Sequence, residues 1–253
     1  MNLSEHSSHL SFAMQHRQGT LAFDAAFNLT EPWTVLFGPS GSGKTTVLRA
    51  IAGLMRPAAG RIVLHSAVAE TTLFDSAAGT FLPAYRRGVR LAAQVTTLFP
   101  NMTVRQNIAY GVPAASAGVV EEALQRFQLM GFAESRPWKL SGGERQRVAV
   151  ARAAASAITA EGGLLLLDEP FAGLHLPLRN ELLEDLRSWL AGVKTPVLSV
   201  THDVGEAFHL GAEVIKFSEG RVLQQGPVEL VLAEERERLM EQLSRGRRYI
   251  LSR

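Results

Sequence analysis

The chain contains no cysteine, which excludes a disulfide framework and any thiolate metal centre. It has no apolar run of membrane-spanning length; the longest compact one, Leu164 to Leu167, is the size of a strand. It has no excess of one charge either. The 26 Lys and Arg nearly balance the 24 Asp and Glu, for a formal +2, too little to argue for nucleic acid as a partner. Internal repeats and long low-complexity segments are also missing. The opening stretch, Met1 to Leu10, is polar and lacks the apolar centre of a secretory signal, so a cytosolic protein is expected. What remains, 253 residues of which 46% are hydrophobic, is ample for one large domain, alone or with a subdomain.

Against those absences one motif stands out. Residues 38–46 read Gly38-Pro39-Ser40-Gly41-Ser42-Gly43-Lys44-Thr45-Thr46, which fits the phosphate-binding loop G-x-x-x-x-G-K-[ST]. Gly38, Gly41 and Gly43 allow the tight turn that aims successive N–H groups at phosphate oxygens. Lys44 has the reach for the β- and γ-phosphates, and the Thr45 hydroxyl can ligate Mg²⁺. The flanks agree: Thr34-Val35-Leu36-Phe37 is β-branched and apolar like a buried strand, and Val47 to Ala52 has helical composition. Such a helix would turn its N-terminus toward the nucleotide.

Alternation at Leu10 to Met14 and Leu21 to Phe23 predicts antiparallel strands ahead of this loop. Gly60 to Leu64 reads as a further strand, and Ser66 to Tyr85 as a strand-and-loop excursion. Helices are predicted over Val119–Leu129, 143–157, Leu178–Leu190 and Val204–Leu210. Strands are predicted over Gly163–Asp168, Thr195–Thr201, Glu213–Phe217 and Arg221–Gln225. Strands alternating with helices around a phosphate loop imply an α/β fold with a mostly parallel sheet.

Leu164-Leu165-Leu166-Leu167-Asp168-Glu169 delivers two carboxylates to the C-terminal end of a strand, the end at which α/β sheets carry ligands. Asp168 can hold Mg²⁺, usually through water, and Glu169 can orient an attacking water. In Leu140-Ser141-Gly142-Gly143-Glu144-Arg145-Gln146-Arg147, Ser141 can cap the following helix with Glu144 completing a capping box. The two glycines leave backbone N–H groups open to an anion.

The three stretches in this order resemble the ATP-binding-cassette ATPases, over about residues 8–230. The resemblance implies a P-loop NTPase core with a mostly parallel sheet, an antiparallel β subdomain and an α-helical signature subdomain at about 95–157. It implies ATP and Mg²⁺ as cofactors and ATP hydrolysis coupled to transport. Gln94 is similar to the glutamine that senses the metal and the membrane partner, and His202 to the histidine that contacts the γ-phosphate. Two copies of the cassette are then expected to sandwich ATP head to tail, Ser141, Gly142 and Gly143 of one facing the phosphate loop of the other. Catalysis falls to Glu169, His202 and Lys44, and the metal to Thr45, Gln94 and Asp168.

The stretch Leu98 to Ile108 is similar to bacterial uptake cassettes, and the overall pattern to molybdate- and sulfate-type importers. The implied partners are an integral membrane permease and, indirectly, a solute-binding protein, with the chain peripheral on the inner face of the cell membrane and no nucleic acid partner. A soluble cassette acting on nucleic acid or ribosomes, and an exporter cassette, are the alternatives. Two positions depart from the family pattern. His175, in Ala172-Gly173-Leu174-His175, stands where an aspartate is usual. The adenine-stacking aromatic has no clear counterpart, Phe12 and His16 being the candidates, and Phe12 reads as core. Residues 1–230 are expected to form the ATPase domain. Residues 231–253 are expected to be a short charged tail without a regulatory barrel, with a helix over Glu229–Leu243 that lines Leu232, Leu239 and Leu243 along one side.

Overall fold

The computed structural model describes residues 9–66, 69–160, 162–193, 195–210 and 213–250. The polar opening before His9, Ala67 and Val68 of the excursion, and Arg253 lie outside the described residues, as do the side chains of Leu243, Arg245, Arg247 and Arg248.

Strands β1 (Leu10–Gln18) and β2 (Leu21–Leu29) form a hairpin in which Leu10, Phe12, Met14, Phe23, Ala25, Phe27 and Leu29 all face inward. Strict alternation of this kind makes one face of an antiparallel sheet apolar. The sheet is completed by β4 (Ala59–His65), β5 (Glu70–Asp75) and β6 (Thr80–Phe81), in the order β2-β1-β4-β5-β6. The excursion after Ser66 is therefore an extension of this sheet.

The second sheet has the order β11-β10-β3-β9-β8-β7. Its strands are β3 (Trp33–Phe37), β7 (Val89–Ala92), β8 (Leu164–Asp168), β9 (Val197–Thr201), β10 (Glu213–Ser218) and β11 (Arg221–Pro227). Only β11 runs antiparallel. The sheet is covered on both sides, which explains strands without polar alternation. Leu165 and Leu167 join one apolar cluster with the helices, whereas Leu164 and Leu166 join another with α1 (Lys44–Ala52) and the antiparallel sheet.

Between β7 and β8 lie three helices, α2 (Val104–Ala109), α3 (Gly118–Arg126) and α4 (Gly142–Ile158). The helix expected to reach Leu129 stops at Arg126, because Gln128 adopts a left-handed φ of 53° and turns the chain. Phe127 and Leu129 are buried beyond that stop. Helices α5 (Leu176–Val193) and α6 (Val204–Leu210) follow the expected pattern. The expected continuous helix over Glu229–Leu243 is instead two, α7 (Val228–Val231) and α8 (Ala233–Ile250). Leu232 breaks them: it is wholly buried with Val228 and Val231 in the core, so it cannot share a solvent-side stripe with Leu239, which is 36% exposed.

Candidate active site

The loop at residues 38–43 runs from the end of β3, an interior strand of the parallel sheet, into α1. Two of its glycines have no substitute. A Cβ on Gly38 would fall 2.0 Å from the Phe217 carbonyl oxygen, and one on Gly43, at φ 103°, would fall 2.4 Å from the Phe23 ring. The loop is also held from behind. The Gly220 N–H donates to the Ser42 carbonyl at 3.1 Å, and the Asp24 N–H donates to the Gly220 carbonyl at 3.0 Å. The β10–β11 turn therefore fastens the loop to β2.

Lys44 is buried and folds back, its Nζ donating to the carbonyls of Gly38 at 2.6 Å and Pro39 at 2.8 Å. Burial pulls its pKa down, opposed by the nearby charges of Glu169 and Asp168. An ammonium has three donors, so two loop contacts leave one for a phosphate. The Thr45 hydroxyl donates to Asp168 Oδ2 at 2.9 Å, joining the start of α1 to the end of β8. Burial pushes the Asp168 carboxyl above its ordinary value, partly offset by the Thr45 hydrogen bond.

Glu169 follows β8 with a left-handed φ of 49°. Both of its carboxylate oxygens are engaged: His202 Nδ1 is 2.9 Å from Oε1, and Gln94 Nε2 donates to Oε2 at 3.2 Å. His202 comes from the turn after β9 and Gln94 from the loop after β7, so three neighbouring strand ends meet at one carboxylate. A cavity of about 440 Å³ opens here, lined by Ser40, Gly41, Gly43, Lys44, Thr45 and Thr46 of the loop, by Asp168, Glu169 and Gln94, and across from them by Gln18 and Leu21. Thr45, Asp168 and the amide oxygen of Gln94 are all oxygen donors, the set a hard divalent cation takes, and the buried, crowded Asp168 carboxylate favours a cation beside it.

Ser141, Gly142 and Gly143 do not line this cavity. Ser141 caps α4 through a full capping box: its hydroxyl accepts from the Glu144 N–H at 3.3 Å, and Glu144 Oε2 accepts from the Ser141 N–H at 2.7 Å. That backbone hydrogen bond above all holds the Glu144 carboxyl below its usual range. Ser141 and Gly142 face solvent, and a Cβ on Gly143 would meet the tip of Leu174 at 2.7 Å. His175 is exposed at the start of α5, its Nδ1 3.5 Å from the Leu178 N–H.

Phe12 is core: it is 2% exposed and stacks on Phe27 at 4.6 Å. His16 lies 6.2 Å from the Phe23 ring and does not line the cavity. Sequence reasoning missed Gln18, whose Oε1 accepts from the Thr46 hydroxyl at 3.0 Å. It also missed Asn107. That side chain is wholly buried, accepts from the Phe99 N–H at 2.8 Å and donates to the carbonyls of Phe99, Met102 and Thr103. It fixes the turn that presents residues 98–103. Leu98, Phe99 and Met102 are half-buried there. The Phe99 ring packs 4.4 Å from Tyr110, and the Arg152 guanidinium lies 5.2 Å from its centroid.

A glycine-rich loop on an interior parallel strand, facing paired carboxylates at the end of another strand, with an antiparallel sheet on one side and a helical segment inserted between β7 and β8, is the architecture of a P-loop ATP-binding cassette. Its likeness to solved structures agrees. The chain superimposes on cbiO1 from Clostridium perfringens, described as part of the ABC transporter complex cbiONQ, with a TM-score of 0.71 at 24% identity, covering 90% of this chain and 92% of that one. It superimposes on the ATP-binding cassette MJ0796, a dimer bound to ADP and Pi, with a TM-score of 0.69 at 24% identity, covering 87% and 98%. A family profile described as ABC transporter matches residues 26–172, and the chain belongs to that family. Among curated relatives, the molybdenum import ATP-binding protein ModC of Mesorhizobium japonicum is 41% identical over 86% of this chain. The ModC of Rhodospirillum rubrum is 40% identical over 88%. The match spans only 58% and 60% of the length of those two relatives.

Proposed function

We propose that the chain is the ATP-hydrolysing subunit of an importer, that it works as a head-to-tail pair on a separate membrane permease, and that the solute is molybdate or a similar oxyanion. The observation that carries the catalytic part is the meeting of Gln94, His202 and Glu169 at 2.9 and 3.2 Å beside the phosphate loop. The import part is supported by the names of the ModC relatives. Among the described residues no helix is long and apolar enough to cross a membrane; in this reading the permease supplies the translocation path.

In this reading the loop N–H groups and Lys44 bind the triphosphate, and Thr45, Asp168 and Gln94 would hold Mg²⁺, which would supply neutralisation of phosphate charge. Glu169 positions the attacking water and takes up its proton. His202, held beside Glu169, donates to the γ-phosphate. Ser141 and Gly143, exposed or half-exposed and away from their own chain's cavity, complete the site of a second copy. Residues 98–103 and the exposed Val95 receive the permease. Purified chain with Mg²⁺ and ATP should release phosphate, and a strain lacking the gene should need added molybdate to make molybdoenzymes. A chain that binds no nucleotide, or a strain whose molybdate uptake is untouched, would overturn the corresponding half.

A further inference from the structure

His202 has an exposed ring, 56% open to solvent, on a turn between β9 and the seven-residue α6. Something other than its own packing has to set where it stands. The turn is stitched locally: the Asp203 N–H donates to the Thr201 hydroxyl at 3.1 Å, Asp203 Oδ1 accepts from the Glu206 N–H at 3.0 Å, capping α6, and the Ala207 N–H donates to the Asp203 carbonyl at 3.1 Å. These bonds tie the turn to itself. Beyond the His202–Glu169 contact and the packing of Ala207 and Leu210 into the core, it is tied to the rest of the protein by Arg179, on the first turn of α5. Arg179 Nη1 lies 2.8 Å from Asp203 Oδ2 and 3.8 Å from Glu206 Oε2. Arg179 is 16% exposed and Glu206 7%, whereas Asp203 is 37% exposed, so water screens the Asp203 contact in part. Helix α5 is itself buried against the core through Leu182, Leu183, Leu186, Trp189 and Leu190. A guanidinium on a rigid helix thus holds the carboxylate next to His202.

We propose that Arg179 is a positioning residue for hydrolysis, acting through the Thr201–Asp203 turn to hold His202 where it reaches Glu169, without itself touching the nucleotide. The proposal rests on the ATPase reading given above, in which His202 and Glu169 serve the hydrolytic step. Arg179 does not line the phosphate-loop cavity, so nucleotide affinity should not depend on it. Asp203 and Glu206 together define its role: Asp203 both caps α6 and receives Arg179, so one carboxylate links helix start, histidine turn and α5.

The test is steady-state ATPase of the full chain in a cycle of four proteins: wild type, Arg179→Ala, His202→Ala and the double variant. Arg179→Ala should lose about tenfold or more in kcat with KM for ATP within about twofold of wild type, the pattern of a group that acts after binding. Added to His202→Ala it should cost less than about twofold, because the residue it acts through is gone. Arg179→Lys, which keeps one charged contact to Asp203, should recover part of the loss. Asp203→Asn, which keeps the cap and removes the charge, should reproduce the loss and give the same non-additivity should Arg179→Ala fold poorly. Turnover of Arg179→Ala within twofold of wild type would overturn the proposal. So would a loss that persists in full in the His202→Ala background, or one that Lys does not relieve while the melting temperature falls in step. Wild type and His202→Ala with equal turnover would sink the ATPase role of His202 itself and the positioning role with it.

Discussion

His202 Nδ1 lies 2.9 Å from Glu169 Oε1, so the histidine and the carboxylate assigned to the hydrolytic step hold each other. Gln94 occupies the other oxygen. Glu169→Gln preserves shape and can keep both neighbours, but it cannot take a proton from water. Turnover should fall roughly 10²–10⁴-fold, the scale of a general base, while ATP binding persists and the ATP-bound protein accumulates as a dimer. Turnover within about threefold of wild type, measured alongside equilibrium ATP binding, would refute the assignment.

Arg87 is 1% exposed and closes the end of α1: Nη1 donates to the carbonyls of Ala50 and Ile51 at 2.8 and 2.9 Å, and Nε to that of Leu82 at 2.7 Å. Burial draws its pKa down to about 10, so it stays charged at neutral pH and meets the negative end of the helix. Arg87→Ala should cost about 3 kcal/mol through the unsatisfied carbonyls and the lost charge, or roughly 6–12 °C in melting temperature for a chain of this size. A thermal shift under 2 °C would show that the contact is not a structural anchor.

Glu206 gives a pH dependence with a definite sign. Burial, first among its causes, pushes its carboxyl from 4.5 to about 7 against the pull of Arg179. A carboxyl whose folded value lies above its unfolded one binds its proton more tightly when folded, so its contribution is fully present below about 4.5 and is lost as pH rises through about 7. Glu206→Gln cannot ionise. Its stability relative to wild type should therefore rise from pH 5 to pH 8, by at most about 3 kcal/mol. Urea unfolding of both proteins over that range checks this; a constant difference would show that Glu206 does not carry the shift.

His175 offers α5 only a long contact, 3.5 Å from Nδ1 to the Leu178 N–H. Aspartate is a far better cap and places a negative charge at the helix N-terminus. His175→Asp should raise stability by about 0.5–1 kcal/mol and leave ATPase activity equal or higher. A tenfold loss of activity in a protein of unchanged melting temperature would show that the histidine is required as such.

The phosphate loop, the two acids and the capped Ser141 were legible because each lies in one contiguous stretch, where local geometry and chemistry are written together. Gln94 and His202 needed the family resemblance, since a lone Gln or His after a strand carries no local signature. Arg87 left no signal, and Asn107 only as part of the stretch similar to uptake cassettes: their partners are backbone carbonyls and N–H groups, which any sequence supplies, and only the folded chain brings them near. The break at Leu232 was hidden for a different reason. The residues around it fit a helix, and burial in the core overrides that local preference.

The strand that carries the phosphate loop has its two sheet neighbours, β9 and β10, far downstream in the chain, and the turn that fastens the loop, at Gly220, comes later still. As the protein is made from its N-terminus, the glycine-rich loop must leave the ribosome long before anything that shapes it exists. At ordinary synthesis speeds that gap is on the order of ten seconds or more. A nascent chain halted at residue 210 would hold every residue of the loop and still lack the scaffold that makes it grip a nucleotide. Competence to bind arrives only after β10 and the Gly220 turn have been made, so a product truncated before them would carry the loop without its grip.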